Sequence, residues 1–414
     1  MALSRLPAKL LKGFYPFTLG NAAMLVGAFL LAACAAPISE LSPLPTTSPT
    51  VVTTLTVTAA STSILIPVPS PTATPTPAPT LDASLPHLLY IYQNTLIEQD
   101  THGARRVLAE LPDAGRARDA LQVGDDVFIW REQGIQRVGL SDGTNEFAVQ
   151  FKKPALFGQL MVSLDHRALL YLNVVESSCG ATGFGGIVGQ YQIDSGTFRT
   201  IFSSQSNVHL VGQTADGHIL YLQPVGCDPS FGEIWQFSVG TGEIITILPA
   251  REEAERTYGY GSASLSPSGR YLVFPATHSA ENNRLKYRLG FYDLAAQTPR
   301  LRWLDLPEQP SHIYSALWSW DSRGWYCSLR AGSDLNQTAG ESYGLWWLDM
   351  QSLTFSRVAD LPEPTLQFVS LTPDGQWLIL LPERMDHITI LNLQTGATFS
   401  TPLPADGEVI IVRH

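Results

Sequence analysis

Short runs of alternating apolar and polar residues recur along most of this chain, and each run follows a turn rich in Ser, Asp or Gly. Two copies match closely, residues 265–274 (LSPSGRYLVF) and residues 371–380 (LTPDGQWLIL). Such a turn favours a tight hairpin because Gly tolerates positive φ. The alternation after it predicts a half-buried strand.

Further copies of this unit lie about 50 residues apart. Residues 318–327 (WSWDSRGWYC) show the same unit with one extra turn residue, and residues 213–222 and 163–172 are weaker copies. A third and a fourth strand follow in each unit, as in residues 345–350 (LWWLDM) and 355–358 (FSRV). Four strands repeated at this spacing predict the blade of a β-propeller.

These units resemble a known repeat family. A turn of the Ser-Pro-Asp-Gly type followed by a strand of the Ile-Trp-x-x-Asp-Leu type is similar to the WD-like propeller repeats of the periplasmic Tol-B type. The resemblance covers most of residues 85–414. It implies an all-β propeller fold and no particular activity, because such propellers serve binding, scaffolding and catalysis alike.

The units number seven, with six or eight as alternatives. Six are complete, and an additional stretch, residues 87–111, supplies three strands but no inner one. A spare strand at residues 408–413 is expected to join those three, which closes the ring and removes two sheet edges. The complete units are 114–151, 158–203, 207–249, 260–306, 313–361 and 366–403.

The N-terminal residues 1–33 have the pattern of an export signal. Arg5, Lys9 and Lys12 precede an apolar run that is too short to span a bilayer. The run ends at Leu31-Ala-Ala-Cys34, which resembles the lipobox of bacterial lipoproteins. That resemblance implies that Cys34 is diacylated and becomes the mature N-terminus. A plain secretory signal with an incidental cysteine and an uncleaved membrane anchor remain as alternatives.

The lipid anchor would place the protein on the cell membrane or the outer membrane, facing the periplasm or the cell exterior. Ala35 follows the cysteine, which favours outer-membrane sorting in a host with two membranes. Residues 34–84 then form a linker rich in Pro, Thr and Ser, which offers too little apolar surface for a core. This disordered linker has a reach on the order of 150 Å when extended.

Three more cysteines lie in the propeller domain, residues 85–414. Cys327 sits in an alternating strand and is expected to be a buried core thiol. Cys179 and Cys227 fall in loops of neighbouring units, and an oxidising compartment permits a disulfide between them. Two free loop thiols are the alternative.

Motifs for catalysis are lacking, so we assign no catalytic residue, no metal site and no cofactor. The Gly-rich residues 179–186 lack the strand–loop–helix context of a dinucleotide site, and residues 334–340 lack the closing Glu of a calcium loop. The net charge of −11 argues against nucleic acid as a partner. A monomer is expected.

The loops after the second and fourth strands of each unit are long, and in a propeller they share one face. We call this the long-loop face; the tight Gly turns occupy the opposite, short-turn face. Aromatic and amide side chains in such loops favour ligand binding. The candidate ligand-binding residues are Phe184, Asp228, Phe231, Arg251, Tyr258, Tyr260, His278, Asn282, Asn283 and Asp334.

The sequence therefore favours a membrane-anchored, extracytoplasmic lipoprotein whose propeller binds a protein, a peptide or a glycan without catalysis. The alternative is an extracytoplasmic hydrolase or lyase that acts on polysaccharide or peptide in the propeller funnel. Two inward carboxylates about 5–10 Å apart would support that alternative.

Overall fold

The computed structural model describes twelve stretches of the chain. They are residues 86–112, 115–174, 186–204, 208–224, 233–248, 257–279, 285–296, 298–308, 311–331, 341–363, 366–404 and 408–414. The predicted signal and linker lie outside them. Within these stretches the regular structure is entirely β-strand. No helix in them has the length and the apolar character to cross a bilayer.

The strands form seven antiparallel sheets, which confirms the predicted seven-bladed propeller. The first three blades contain β1 (Leu88–Tyr92), β2 (Thr95–Gln99), β3 (Arg105–Glu110), β4 (Ala117–Val123), β5 (Asp126–Arg131), β6 (Gly134–Gly139), β7 (Asn145–Gln150), β8 (Phe157–Val162), β9 (Ala168–Val174), β10 (Gly186–Gln192) and β11 (Phe198–Ser204). Blade IV contains β12 (Val208–Gln213), β13 (Ile219–Pro224), β14 (Ile234–Ser238) and β15 (Ile244–Leu248).

The remaining strands build blades V to VII and return to blade I. They are β16 (Thr257–Tyr260), β17 (Ser264–Leu265), β18 (Tyr271–Ser279), β19 (Leu285–Asp293), β20 (Arg302–Asp305), β21 (Ser311–Trp318), β22 (Gly324–Ala331), β23 (Ser342–Asp349), β24 (Thr354–Ala359), β25 (Leu366–Leu371), β26 (Trp377–Pro382), β27 (His387–Asn392), β28 (Thr398–Pro402) and β29 (Val409–Ile411). In blade V the inner strand is split, since both β16 and β17 pair with β18.

The first turn of blades III to VII has one construction. A Ser or Thr hydroxyl bonds to the side chain two residues later and accepts the backbone N–H five residues later, as Thr372 does with Asp374 and Trp377. The fourth residue has positive φ in all five turns. It is Gly in three blades, but His166 in blade III and Ser322 in blade VI.

The prediction of an extra turn residue in blade VI is therefore wrong. The spacing from Ser319 to the start of β22 equals that of the other turns, and the left-handed position is Ser322, with φ of 59°. Gly324 begins β22, where its N–H donates to the Ser319 hydroxyl. A side chain at Gly324 would collide with the ring of Trp347. Close approach to that ring, not turn geometry, explains this glycine.

The hydrophobic core lies between the blades. Seven clusters of buried side chains are recorded in the described residues, and each joins two neighbouring blades. The cluster between blades V and VI contains Cys327, which is fully buried, as the sequence predicted. Burial also raises the pKa of the Cys327 thiol. This thiol therefore serves as a small core side chain.

Hydrogen bonds near the inner strands also join neighbouring blades, through side chains at six interfaces and through the backbone between blades I and II. From each interface we take one of these hydrogen bonds, and we call the seven together the inner ring. In order from blades II–III round to I–II they are Leu160 N to Asp119 Oδ2 (2.9 Å), Leu210 N to Gln159 Oε1 (3.3 Å), Ala263 N to Gln223 Oε1 (2.9 Å), Trp318 Nε1 to Ser264 Oγ (2.8 Å), Phe368 N to Ser315 Oγ (2.8 Å), His414 N to Ser370 Oγ (3.2 Å) and Gln122 N to Arg413 O (2.7 Å).

Ring closure occurs as the sequence predicted. Strand β29 pairs with β1, with Ile411 opposite Tyr90, and supplies the inner strand of blade I. Arg413, two residues after this strand, forms a bridge to Leu121 in blade II and an ion pair with buried Asp119. Val412 is fully buried in the cluster between blades I and II. The C-terminal segment thus contributes to the sheet, the core and the inner ring together.

Deleting residues 408–414 is expected to lower the melting temperature sharply or to cause aggregation. The deletion removes the buried side chains of Val409, Ile411 and Val412. Each is worth roughly 1.5–3 kcal/mol, against a domain stability of about 5–15 kcal/mol. Thermal unfolding monitored by circular dichroism provides the measurement.

The matched control is Glu408→Ala, which removes only the partly exposed ion pair between Glu408 and Arg116. Such pairs contribute about 0–1 kcal/mol, so this variant should melt close to the wild type. A truncated chain that melts with the control would contradict the closure role of β29.

Candidate functional site

Most of the site residues predicted from the sequence, whether for ligand binding, for lipidation or for a disulfide, lie outside the described part of the chain. This applies to Cys34, Cys179, Cys227, Phe184, Asp228, Phe231, Arg251, Asn282, Asn283 and Asp334. The proposed anchor and disulfide therefore stay predictions. For Tyr258, Tyr260 and His278 the backbone is described, and it corrects one point.

These three residues lie on strands, although the sequence placed them in loops. Tyr258 and Tyr260 belong to β16, and His278 is the penultimate residue of β18, which ends at Ser279. The reason is that β18 and β19 are nine residues long, and β16 pairs with the last part of β18. At the long-loop end of blade V, three strands are therefore paired side by side, β16, β18 and β19.

A buried arginine lies at the same face in the next blade. Arg330 is near the end of β22, in register with His312 on β21. It is only 4% exposed, and its Nε has no hydrogen-bond partner among the described residues. Its guanidinium lies 4.6 Å from the ring centre of Tyr314. The ion pairs recorded for the described residues do not include Arg330, so its charge is balanced by no carboxylate there.

The neighbouring histidine carries no charge at neutral pH. Burial, and secondarily the charge of Arg330, lower the pKa of His312 to about 4. The His312 ring lies 5.5 Å from the ring of Tyr287 in blade V. Arg330, His312, Tyr314 and Tyr287 together form what we call the arginine cluster. It combines one positive charge with three rings, which suits an anionic group.

A second polar feature lies on the opposite, short-turn face. A cavity of about 350 Å³ opens between blades III and IV. It is lined by the first turns of both blades and by polar side chains of β10, β11 and β12, namely Gln190, Gln192, Arg199 and Gln213. We call it the III–IV pocket. The sequence placed the candidate site on the other face, so this pocket was not foreseen.

Metal ligation finds no support in the described stretches. They contain no group of three or more His, Cys, Asp or Glu residues placed to hold an ion. Asp119 is a buried carboxylate on the inner strand of blade II, and Arg413 Nη2 donates to its two oxygens at 2.8 and 2.9 Å. Asp119 therefore acts as a structural group of the inner ring.

Comparison with known proteins gives the fold alone. No protein-family model and no curated protein matches this chain. Among solved structures it is similar to an oligogalacturonate lyase in complex with manganese, at 15% identity and a TM-score of 0.52 over 75% of this chain and 83% of that one.

Two further similarities are equally distant. A functionally unknown protein from Desulfotomaculum acetoxidans shares 10% identity at a TM-score of 0.50, over 79% of this chain and 99% of the other. TolB from Acinetobacter baumannii shares 13% identity at a TM-score of 0.43, over 83% and 89%. The seven sheets show the propeller fold that the repeat resemblance implied, and no activity follows from these similarities.

A buried histidine next to the inner ring should make stability depend on pH. His209 is buried between blades IV and V and its Nε2 lies 2.9 Å from Ser262 Oγ. Burial lowers the pKa of His209 to about 4. The unfolded chain, with an ordinary histidine pKa of about 6.5, binds more protons between these values. The contribution of the buried, neutral His209 to the free energy of unfolding should therefore be complete above pH 6.5 and should decrease as the pH falls towards 4.

We expect His209→Gln to reduce this pH dependence, because glutamine does not titrate and keeps a polar group near Ser262. The loss attributable to one fully buried histidine is on the order of 3 kcal/mol. Denaturant titrations between pH 4 and pH 7 provide the measurement. The exposed His218 supplies the control, His218→Gln, which should follow the wild type. Identical pH profiles for wild type and His209→Gln would refute this assignment.

Proposed function

We propose that this protein is a lipid-anchored extracytoplasmic propeller that binds a carboxylate-bearing ligand on its long-loop face without catalysing a reaction. The arginine cluster is the observation that carries the proposal. The anchor and the spacer that raise the domain above a membrane come from residues 1–84 of the sequence. The ligand is a segment of an acidic peptide or of an acidic glycan.

The argument from Arg330 is one of charge and desolvation. An arginine stays protonated at any accessible pH, and removing its charge from water is costly without a partner. A contact with an aromatic ring such as that of Tyr314 stabilises the guanidinium by about 0.5–2 kcal/mol. This is less than the stabilisation that a paired anion would give. A carboxylate offers two oxygens that match the guanidinium fork. A bound carboxylate would therefore accept a hydrogen bond from Arg330 Nε, which has no partner among the described protein residues.

The uncharged state of His312 refines the ligand class. With its pKa lowered to about 4, this ring adds no second positive charge at neutral pH. The cluster then favours a singly charged carboxylate next to an apolar or sugar ring, which can lie against Tyr314 or Tyr287. Multiply charged phosphate groups usually meet several cations at once, and the described cluster provides one.

The anchor is tested by Cys34→Ser. This variant should lose detergent-phase partitioning and remain unlipidated, because serine cannot form the thioether that carries the diacylglycerol. Phase separation of cell extracts, followed by immunoblotting, measures the outcome. Cys327→Ser serves as the control, since that thiol is a core side chain and should not affect partitioning. Detergent-phase partitioning that persists in Cys34→Ser would exclude the lipid anchor.

Binding is tested with oligogalacturonate and with a poly-glutamate peptide as two carboxylate probes. Wild type should bind at least one of them, Arg330→Lys more weakly, and Arg330→Met not at all, as measured by calorimetry. Because Arg330→Met also removes an unpaired buried charge, its melting temperature should not fall. A structural arginine would instead melt lower on substitution.

Arg357→Met is the matched control. Arg357 lies on the outer strand of the same blade, where its side chain is 53% exposed and paired with Asp360. It should bind both probes like the wild type. Shortened oligomers appearing in the oligogalacturonate incubation would favour the lyase or hydrolase alternative. Binding that Arg330→Met leaves unchanged would contradict the proposed site.

A further inference from the structure

One residue that lines the III–IV pocket differs in character from the residues at the same repeat position of other blades. The residue just before the first turn faces a partner seven positions later in five blades. These pairs are Val162–Leu169, Gln213–Leu220, Leu265–Leu272, Trp318–Trp325 and Leu371–Leu378. Blade IV alone among these five has a polar residue at the first position. The other four blades show that an apolar side chain fits the fold there.

The polar residue at this position, Gln213, is buried and only half satisfied. Its side chain is 1% exposed, and its Nε2 donates to the Gly217 carbonyl at 2.9 Å. That bond fixes the orientation of the amide, since the reversed amide would set two oxygens against each other. The Oε1 atom has no hydrogen-bond partner in the described protein. A buried acceptor left in this state costs about 1–3 kcal/mol.

In a second glutamine of the pocket, Gln190, the amide oxygen is hydrogen-bonded and the amide nitrogen remains as a donor. Gln190 is 5% exposed, and its Oε1 accepts from Nε and Nη2 of Arg199 at 3.0 and 2.9 Å. Its Nε2 group is then the donor that this amide has left. The corresponding positions of blades V to VII are apolar, namely Phe291, Trp347 and Ile390. Gln213 and Gln190 thus place two buried amides around one cavity, at positions where blades V to VII have apolar residues.

Two carboxylates complete the polar lining. Asp165 and Asp216 lie in the first turns of blades III and IV, where hydrogen bonds from Ser163 and Thr214 lower the pKa of each. Both are therefore ionised at neutral pH and accept hydrogen bonds. Their charge disfavours an anionic ligand. The pocket consequently offers acceptors at Gln213, Asp165 and Asp216 and donors at Gln190 and Arg199.

We propose that the III–IV pocket is a binding site for a neutral sugar residue, separate from the site on the long-loop face. Sugar hydroxyls both donate and accept hydrogen bonds, so they match a lining that contains both acceptors and donors. A cavity of about 350 Å³ lies at the small end of the size range of ligand sites. A monosaccharide, free or at the end of a glycan, is the ligand class that this combination fits.

The key variant is Gln213→Leu, which restores the residue found at the same position of blades V and VII. Full-length protein in detergent micelles is titrated with glucose, galactose and mannose, and binding is followed by ligand-observed NMR. Wild type should bind at least one of these sugars. Gln213→Leu should bind it about tenfold more weakly and melt at the same temperature as the wild type or higher.

The matched control is Gln236→Leu. Gln236 occupies on β14 the register position that Gln190 occupies on β10, and it is not part of the pocket lining. It should bind the sugar like the wild type, whereas Gln190→Met should lose binding without loss of stability. Arg330→Met should also retain sugar binding, which separates this site from the one on the long-loop face.

Three results would overturn the proposal. The first is no binding of any of the three neutral sugars by the wild type. The second is preferential binding of glucosamine or galacturonate, since a cationic or anionic preference would mean that charge and not hydroxyl recognition defines the pocket. The third is a lower melting temperature for Gln213→Leu, which would make the amide a structural group.

Discussion

The open edge of the innermost strand is the constraint on which this structure depends. Each blade has such an edge, with N–H and C=O groups directed away from its own sheet, and burying them without partners is costly. Here the neighbouring blade supplies partners for these groups at most interfaces, through Asp, Gln or Ser side chains and, between blades I and II, through direct backbone pairing. The same contacts set the spacing between blades.

The apolar clusters between blades depend on that spacing. Each cluster takes side chains from two neighbouring sheets, so a blade has no complete core until its neighbours are in place. The interface between blades III and IV contains such an apolar cluster and also a polar cavity. The inner contact through Gln159 and the cluster around Leu210 hold that interface. The short-turn end of the same interface carries amides, Gln190 and Gln213, instead of apolar side chains.

The fold was predictable because its signal is repeated. Turns with a Ser or Thr, a carboxylate and a residue of positive φ recur with the same alternating strand, and even the closing strand at the C-terminus is visible as a segment without a unit of its own. The misreading of blade VI has a physical cause. Sequence patterns associate positive φ with glycine, whereas Ser322 takes that conformation and Gly324 is required by the ring of Trp347.

The candidate sites were harder to predict because they depend on burial, which a sequence states only indirectly. Arg330 follows an alternating strand and reads as an exposed residue beyond its end. Its near-complete burial appears only when β21, β22 and β23 are assembled. Gln213 left a usable signal, since it stands where three other repeats have Leu or Trp. The inner-ring partners left none, because Asp, Gln and Ser fill equivalent roles at different interfaces.

Closure of the ring by β29 also has a consequence for the order of folding. Its partner β1 is more than three hundred residues earlier in the chain, and β29 is synthesised after every other strand of the ring. Blade I must therefore wait, with one edge unpaired, while the other six blades emerge. Contacts of such long sequence separation form slowly, so the incomplete ring is the state most exposed to aggregation and to chaperones. The protein becomes topologically complete in one late step, in which a single short strand secures both ends of the circle.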